Sequence, residues 1–196
     1  MPMQDRFQHL FTVISGQRFL NKQGLGNEVP FFICPYKPEE SVEMVRIQRQ
    51  LINRLEQDGI RILEINLYDL SLEILSKEGD LDWILEHEQN HPKTKLKEEL
   101  QGILDVETVI ISTLATKLLR TDFDVLFLSG VGEVFPYIRS HNVLNNLQST
   151  AKEKPTVMFF PGDYTHSLES GASLDLFGRL HDDKYYRAFN IFHCEA

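Results

Sequence analysis

Apolar residues recur at helical spacing near the start of the chain. Phe7, Leu10, Phe11 and Ile14 fall at i, i+3, i+4 and i+7, which puts them on one face of an N-terminal helix that needs a core to dock on. The period then changes. VPFFICPY, Val29 to Tyr36, is a short continuous apolar run, the pattern of a strand. Pro38 supplies a φ already suited to a helix, and Glu39 and Glu40 place negative charge at its first turn. That helix is expected to stop at Gly59, where a left-handed cap is easiest for glycine, and Ile60 to Leu67 follows as a second strand. The result is a β-α-β unit.

The middle of the chain reads as helical. Asp69 is expected to cap LSLEILSKE, Gly79 to stop it, and Asp80 or Asp82 to start DWILEHEQN. Thr94 opens a long segment reaching about Arg120, with Leu96, Leu100, Ile103, Leu104 and Leu114 mainly at helical spacing. FDVLFLSGVG, Phe123 to Gly132, is apolar at consecutive positions, as a strand with both faces covered should be. FPYIRSHNVLNNLQ follows as a helical stretch with Pro136 near its first position, and PTVMFFPG, Pro155 to Gly162, repeats the strand pattern. Tyr185 to Phe192 is expected to form an edge strand after a polar loop holding Asp182 and Asp183. Strands separated by helices predict an α/β sandwich. Its sheet should be largely parallel and about five-stranded, with helices on both faces, extra helices inserted in the middle, and one domain spanning residues 1–196.

Composition narrows the class. At 196 residues, 42% hydrophobic and 25% charged, the chain can bury a sizeable core without staples. No apolar stretch reaches the roughly 20 residues needed to cross a bilayer, and the N-terminus lacks a continuous hydrophobic signal core, so a cytoplasmic protein is expected. Cys34 and Cys194, with no C-x-x-C spacing, fit a reduced compartment. The net charge of -9 is spread over both halves, with no run of Lys or Arg. Autonomous DNA binding, which draws on clustered cations, is not expected.

An open parallel sheet binds ligands beyond the carboxyl ends of its strands. Here those ends are Tyr36 and Lys37, Asn66, Ser129 to Glu133, and Pro161 to Tyr164. The loops GVGEVFPYIR and PGDY should be neighbours, gathering Glu133, Arg139, His141, Asn142 and Asp163 into one candidate ligand or partner surface. An enzyme built there would hold a phosphate with Arg139, exchange a proton through His141 and use Asp163 to orient it or hold a metal. The plainer alternative has Arg139 and Asp163 tying two loops together, with the polar groups of SHNVLNNLQ capping a helix.

Motifs for harder chemistry fail at identifiable positions. No G-x-x-x-x-G-K-[ST] loop exists. Gly130, Val131 and Gly132 begin a dinucleotide fingerprint, but Phe135 occupies the place of the third glycine, so no cofactor is predicted. There is no G-x-S-x-G elbow around Ser129, Cys34 reads as a core residue, and His166 beside Asp163 and Ser167 is ordinary turn composition. HEQNH, His87 to His91, fits the zinc-binding H-E-x-x-H spacing, but Pro92 disfavours helix at His91 and no third ligand follows at a known offset. An acidic helix ending at proline is the expected reading, with no metal.

The segments NEVPFFICPY, GVGEVFPYIRSHNVLNNLQ, PTVMFFPGDY and SLDLFGRLHDDKYYRAFNI, in that order, resemble the BrxB family, small components of bacterial BREX phage-exclusion systems. The resemblance runs from Asn27 to Ile191 and is weakest between Asp69 and Arg120. It implies a non-catalytic assembly module without a cofactor, needed for host DNA methylation and phage exclusion. The implied partners are other BREX components, the PglZ-type protein first, then the large ATPase and the methyltransferase. Within GRLHDDKYYR, residues Asp182, Asp183, Tyr185, Tyr186 and Arg187 have the composition of an interface and form a second candidate contact, with an edge strand packed on the core as the alternative.

Overall fold

The computed structural model describes residues 2–23, 30–167, 171–183 and 188–195, and at 166, 167, 171, 172 and 181–183 it describes the backbone alone. Its centre is a parallel sheet in the order β2-β3-β4-β1-β7. The strands are β1 Phe31–Tyr36, β2 Ile62–Asn66, β3 Val125–Ser129, β4 Thr156–Ser167 and β7 Phe189–Asn190. The register explains why the central strands are apolar at every position. Phe32, Cys34, Val125, Phe127, Val157 and Phe159 enter one core with α1 (Met3–Ser15), α2 (Gln17–Leu20) and α3 (Ser41–Gln57). Their alternates Phe31, Ile33, Leu126, Leu128, Met158 and Phe160 enter a second core on the other face. There they meet α4 (Leu67–Glu78), α5 (Asp80–His87), α6 (Lys93–Ile103), α7 (Ile111–Arg120) and α8 (Ser140–Thr150). Period-two geometry thus sends one residue to each layer in turn.

The predicted sandwich, its parallel sheet and the helices inserted between β2 and β3 are all present. Several local expectations change. The cap of α4 is Asn66, not Asp69: its Oδ1 accepts from the Tyr68 and Asp69 amides at 2.8 and 3.3 Å, leaving Asp69 in the first turn. The segment from Thr94 to Arg120 is broken. α6 starts at Lys93, and Asp105 accepts from the Thr108 amide and hydroxyl to open a π-helical turn at Val106–Ile110 that leads into α7. A side chain that competes for backbone amides favours such a restart. Pro136 does not begin a helix: Phe135–Pro136 is cis, and α8 begins at Ser140.

Pro161 and Gly162 do not end the fourth strand either. β4 leaves β1 after Pro161 and continues antiparallel to β5 (Gly171–Leu176), which pairs with β6 (Leu180–Asp183). The expected polar loop around Asp182 and Asp183 is therefore a strand. Tyr164 anchors this extension by donating its hydroxyl to Ala188 O at 2.6 Å, and burial pushes that phenol up to about 12. β7 lies at the predicted sheet edge but is short, running into a 3-10 turn at Ile191–His193.

At the amino end of the sheet, Arg61 holds β2 and β3 together. Its backbone N–H and guanidinium both donate to Asp124, and Asp122 takes a further guanidinium bond. The Arg61 side chain holds the Asp124 carboxyl down to about 2. Because that pKa is depressed in the folded state, the pair stabilises the fold above the ordinary value of 3.8 and loses its effect as pH falls through about 2. Asp124→Asn should lower the melting temperature modestly at pH 7, since the guanidinium is half exposed, and the difference should shrink below pH 3.8 in thermal scans.

A second contact fixes the carboxyl end. Gly130 has φ +75°, and a Cβ there would lie 2.2 Å from the capping Oδ1 of Asn66. Gly130→Ala should cost at least about 2 kcal/mol in denaturant unfolding, from strain at positive φ together with the displaced cap. Adding Asn66→Ala should cost less than the sum of the two single changes.

Candidate functional site

The carboxyl ends of β1, β2 and β3 open onto a groove of about 500 Å³ that runs to the outer edge of β2. β1 contributes Tyr36, β2 contributes Glu64 and Asn66, and the turn after β3 contributes Ser129, Gly130 and Glu133. α3 forms one wall with Val45, Gln48 and Arg49; α4 and α7 form the other with Asp69, Glu73 and Lys117. Gln48 donates to Glu64 Oε1 at 2.7 Å, and Lys117 donates to Glu73 Oε2 at 2.8 Å. Burial, opposed by the Ser41 hydroxyl and aided by Cys34 and Glu133, pushes the Tyr36 phenol up to about 12. It is a neutral donor at physiological pH.

The charges decide what the groove accepts. Glu64, Asp69, Glu73 and Glu133 face two cations, Arg49 and Lys117, and Lys117 is already held by Glu73. This surplus repels a phosphate and attracts a cation. The two glycines that began a dinucleotide fingerprint have other duties. Gly130 makes room for Asn66, and a Cβ on Gly132 would meet Pro161 Cγ and Phe177 Cε1, both at 2.9 Å. The close approach that glycine gives a pyrophosphate elsewhere is here taken by the protein's own side chains. Cys34 is fully buried, and burial pushes its thiol up to about 12, so it stays a protonated core group.

Of the five residues expected on one carboxyl-edge surface, Glu133 lines the groove and the other four do not. Arg139 is exposed at the start of α8 and Asn142 is half-buried in its first turn, whereas His141 is buried, 2% exposed. Asp163 is exposed on the antiparallel part of β4, opposite Asp175. The loops do meet, through Gly132 and Pro161, but among the described residues no hydrogen bond or ion pair joins Glu133, Arg139 and Asp163. Asp182 and Asp183 lie on the backbone of β6, while Tyr185, Tyr186 and Arg187, and the side chains of His166 and Ser167, lie outside the described residues.

HEQNH does not stay on one helix. α5 ends at His87, earlier than the expected end at Asn90, and Pro92 caps α6. The His87 ring stacks on Trp83 at 4.7 Å and its Nδ1 lies 2.8 Å from Trp83 O, while His91 meets the indole edge-on at 5.4 Å and reaches Glu99 at 3.5 Å. The indole of Trp83 thus contacts both imidazoles. Among the described residues no group of three or more His, Cys, Asp or Glu stands where it could hold a metal, and no helix is long and apolar enough to cross a membrane.

Sequence reasoning missed the groove's walls. Val45, Gln48, Arg49, Asp69, Glu73 and Lys117 come from helix faces rather than strand ends. One signal was available: Val42 and Val45 lie one turn apart on the outward face of α3 and are 62% and 45% exposed, an apolar pair where a solvated helix carries polar groups.

The family described as BREX protein BrxB matches residues 63–191. A BREX protein BrxB from Bacillus cereus (strain H3081.97) is 34% identical over 193 residues, covering 96% of this chain and 97% of that protein. A BREX protein BrxB from Escherichia coli O9:H4 (strain HS) is 27% identical over 189 residues, covering 96% and 91%. No solved structure matches the chain.

The histidine geometry yields a direct check. Chelation with EDTA should leave the melting temperature unchanged, and His87→Ala with His91→Ala should lower it only slightly, through lost contact with Trp83; a metal-dependent shift abolished by the double change would contradict the packing role.

Proposed function

The chain belongs to the BrxB family and is a component of a BREX system, and from that premise we propose that it acts as one cytoplasmic α/β domain with no catalytic step of its own. It binds other BREX proteins, the PglZ-type protein first, then the large ATPase and the methyltransferase, and is thereby needed for host DNA methylation and phage exclusion. The observation that carries this reading is the state of the carboxyl edge. The place where α/β enzymes seat a phosphate has its glycines packed against Asn66, Pro161 and Phe177, and its lining carries a surplus of carboxylates. Such a surface suits a protein partner with complementary charge better than an anionic substrate. Asp182, Asp183, Tyr185, Tyr186 and Arg187 form a second proposed contact, of which Asp182 and Asp183 belong to β6.

The purified chain mixed with the PglZ-type protein of the same system should co-elute at a defined stoichiometry, while ATP and Mg²⁺ should leave its melting temperature unchanged. A nucleotide- or metal-induced shift, without co-elution, would overturn the assembly reading in favour of an enzyme. Alanine at Tyr185, Tyr186 and Arg187 should weaken retention of the PglZ-type protein without lowering the melting temperature.

A further inference from the structure

β2 is an edge strand whose outer side is open along the groove. Among the described residues its sole strand partner is β3. The hydrogen bonds fix which backbone groups are unused. Arg61 O accepts from Val125 N, and in an evenly spaced parallel ladder residues 61, 63 and 65 then bond to β3. The N–H and C=O groups of Ile62 and Glu64 therefore face outward. Proteins blunt such edges with proline, bulges or covering segments. β2 contains no proline, its register with β3 is unbroken over five residue pairs, and a groove rather than a covering helix lies beside it.

The two walls differ in chemistry. On the α3 side Val45 lines the groove beside Gln48 and Arg49, with the exposed Val42 one turn before it, and on the α4 side stand Asp69 and Glu73, the latter paired with Lys117. An added strand points alternate side chains at the two walls. The apolar cleft of about 340 Å³ between the ends of α7 and α8 has no comparable backbone edge.

We infer that the outer edge of β2 takes up an extended segment of a partner protein as an additional strand, and that this segment alternates apolar residues toward Val45 with basic residues toward Asp69 and Glu73. The inference rests on the assembly reading and specifies its surface. Main-chain bonds to Ile62 and Glu64 supply the docking, and the walls supply the choice of sequence. Because Glu64 has its N–H turned outward, proline there removes a docking donor while sparing the ladder to β3, and a β conformation at Leu63 suits a following proline.

The test uses the full chain and the PglZ-type protein of the same system, with NMR hydrogen exchange and titration. On binding, the Ile62 and Glu64 amides should gain protection. Glu64→Pro should weaken binding about tenfold or more, and clearly more than Glu64→Ala, which loses the same carboxylate but keeps the N–H. Affinity should also fall as salt is raised. Val45→Lys, which sets a cation against the apolar side of the incoming strand, should weaken binding and decides the matter if Glu64→Pro fails to fold. Tight binding by both Glu64→Pro and Val45→Lys, with the two amides unprotected, would overturn the edge inference and leave the assembly reading standing. Failure of the unmodified chain to bind would overturn both.

Discussion

Everything in this fold depends on a sheet buried on both faces. Phe31 and Phe32, Leu126 and Phe127, and Met158 and Phe159 are adjacent in sequence yet serve opposite cores, so no central position can turn polar without placing an unpaired group in one of them. The burden shifts to the periphery. Charge, backbone turns and open edges accumulate where the strands end, and at the carboxyl end the protein arranges them through one small contact, the Asn66 side chain resting where Gly130 has none.

That contact joins the sheet to the groove. Asn66 starts α4, and α4 carries Asp69 and Glu73 along the wall; Gly130 starts the turn that carries Glu133. The acidic lining is therefore placed by the same two residues that terminate β2 and β3. On the far side, Gly132 seats Pro161 and Phe177, so the antiparallel extension is held against the turn after β3. The carboxyl edge is a joint between elements first and a recess second.

The sequence discloses strands readily here and helix boundaries less well, for physical reasons. FDVLFLS leaves no polar face, so only a doubly covered strand suits it. Asp69 misled because Asp and Asn are both good caps, and the choice of Asn66 depends on space that only a glycine from the distant β3 turn provides. The restart at Asp105 turns on local competition for backbone amides that hydrophobic spacing does not report, and α8 begins only at Ser140, after a run of turns and bends from Val131 to Ile138 that the spacing does not report either. For the candidate site, strand ends pointed to Tyr36, Asn66, Ser129 and Glu133, but helix rotation, which sets the walls, was not readable without the packing. His141 shows the same gap: the strand ends grouped it with exposed loop residues, and it is buried in the first turn of α8.

The strand order also has a history in time. β2 and β3 are neighbours in space and can pair as soon as both exist, but β1, made first, pairs with β4 and β7, which are made more than a hundred residues later. At ribosomal rates that gap lasts on the order of ten seconds. During synthesis an apolar strand, FFICPY, has only α1, α2 and α3 for shelter. The amphipathic N-terminal helices thus act as an early cover for a strand whose partners have not yet been translated, and the sheet closes from its β2 rim through β4 and β1 to β7 last.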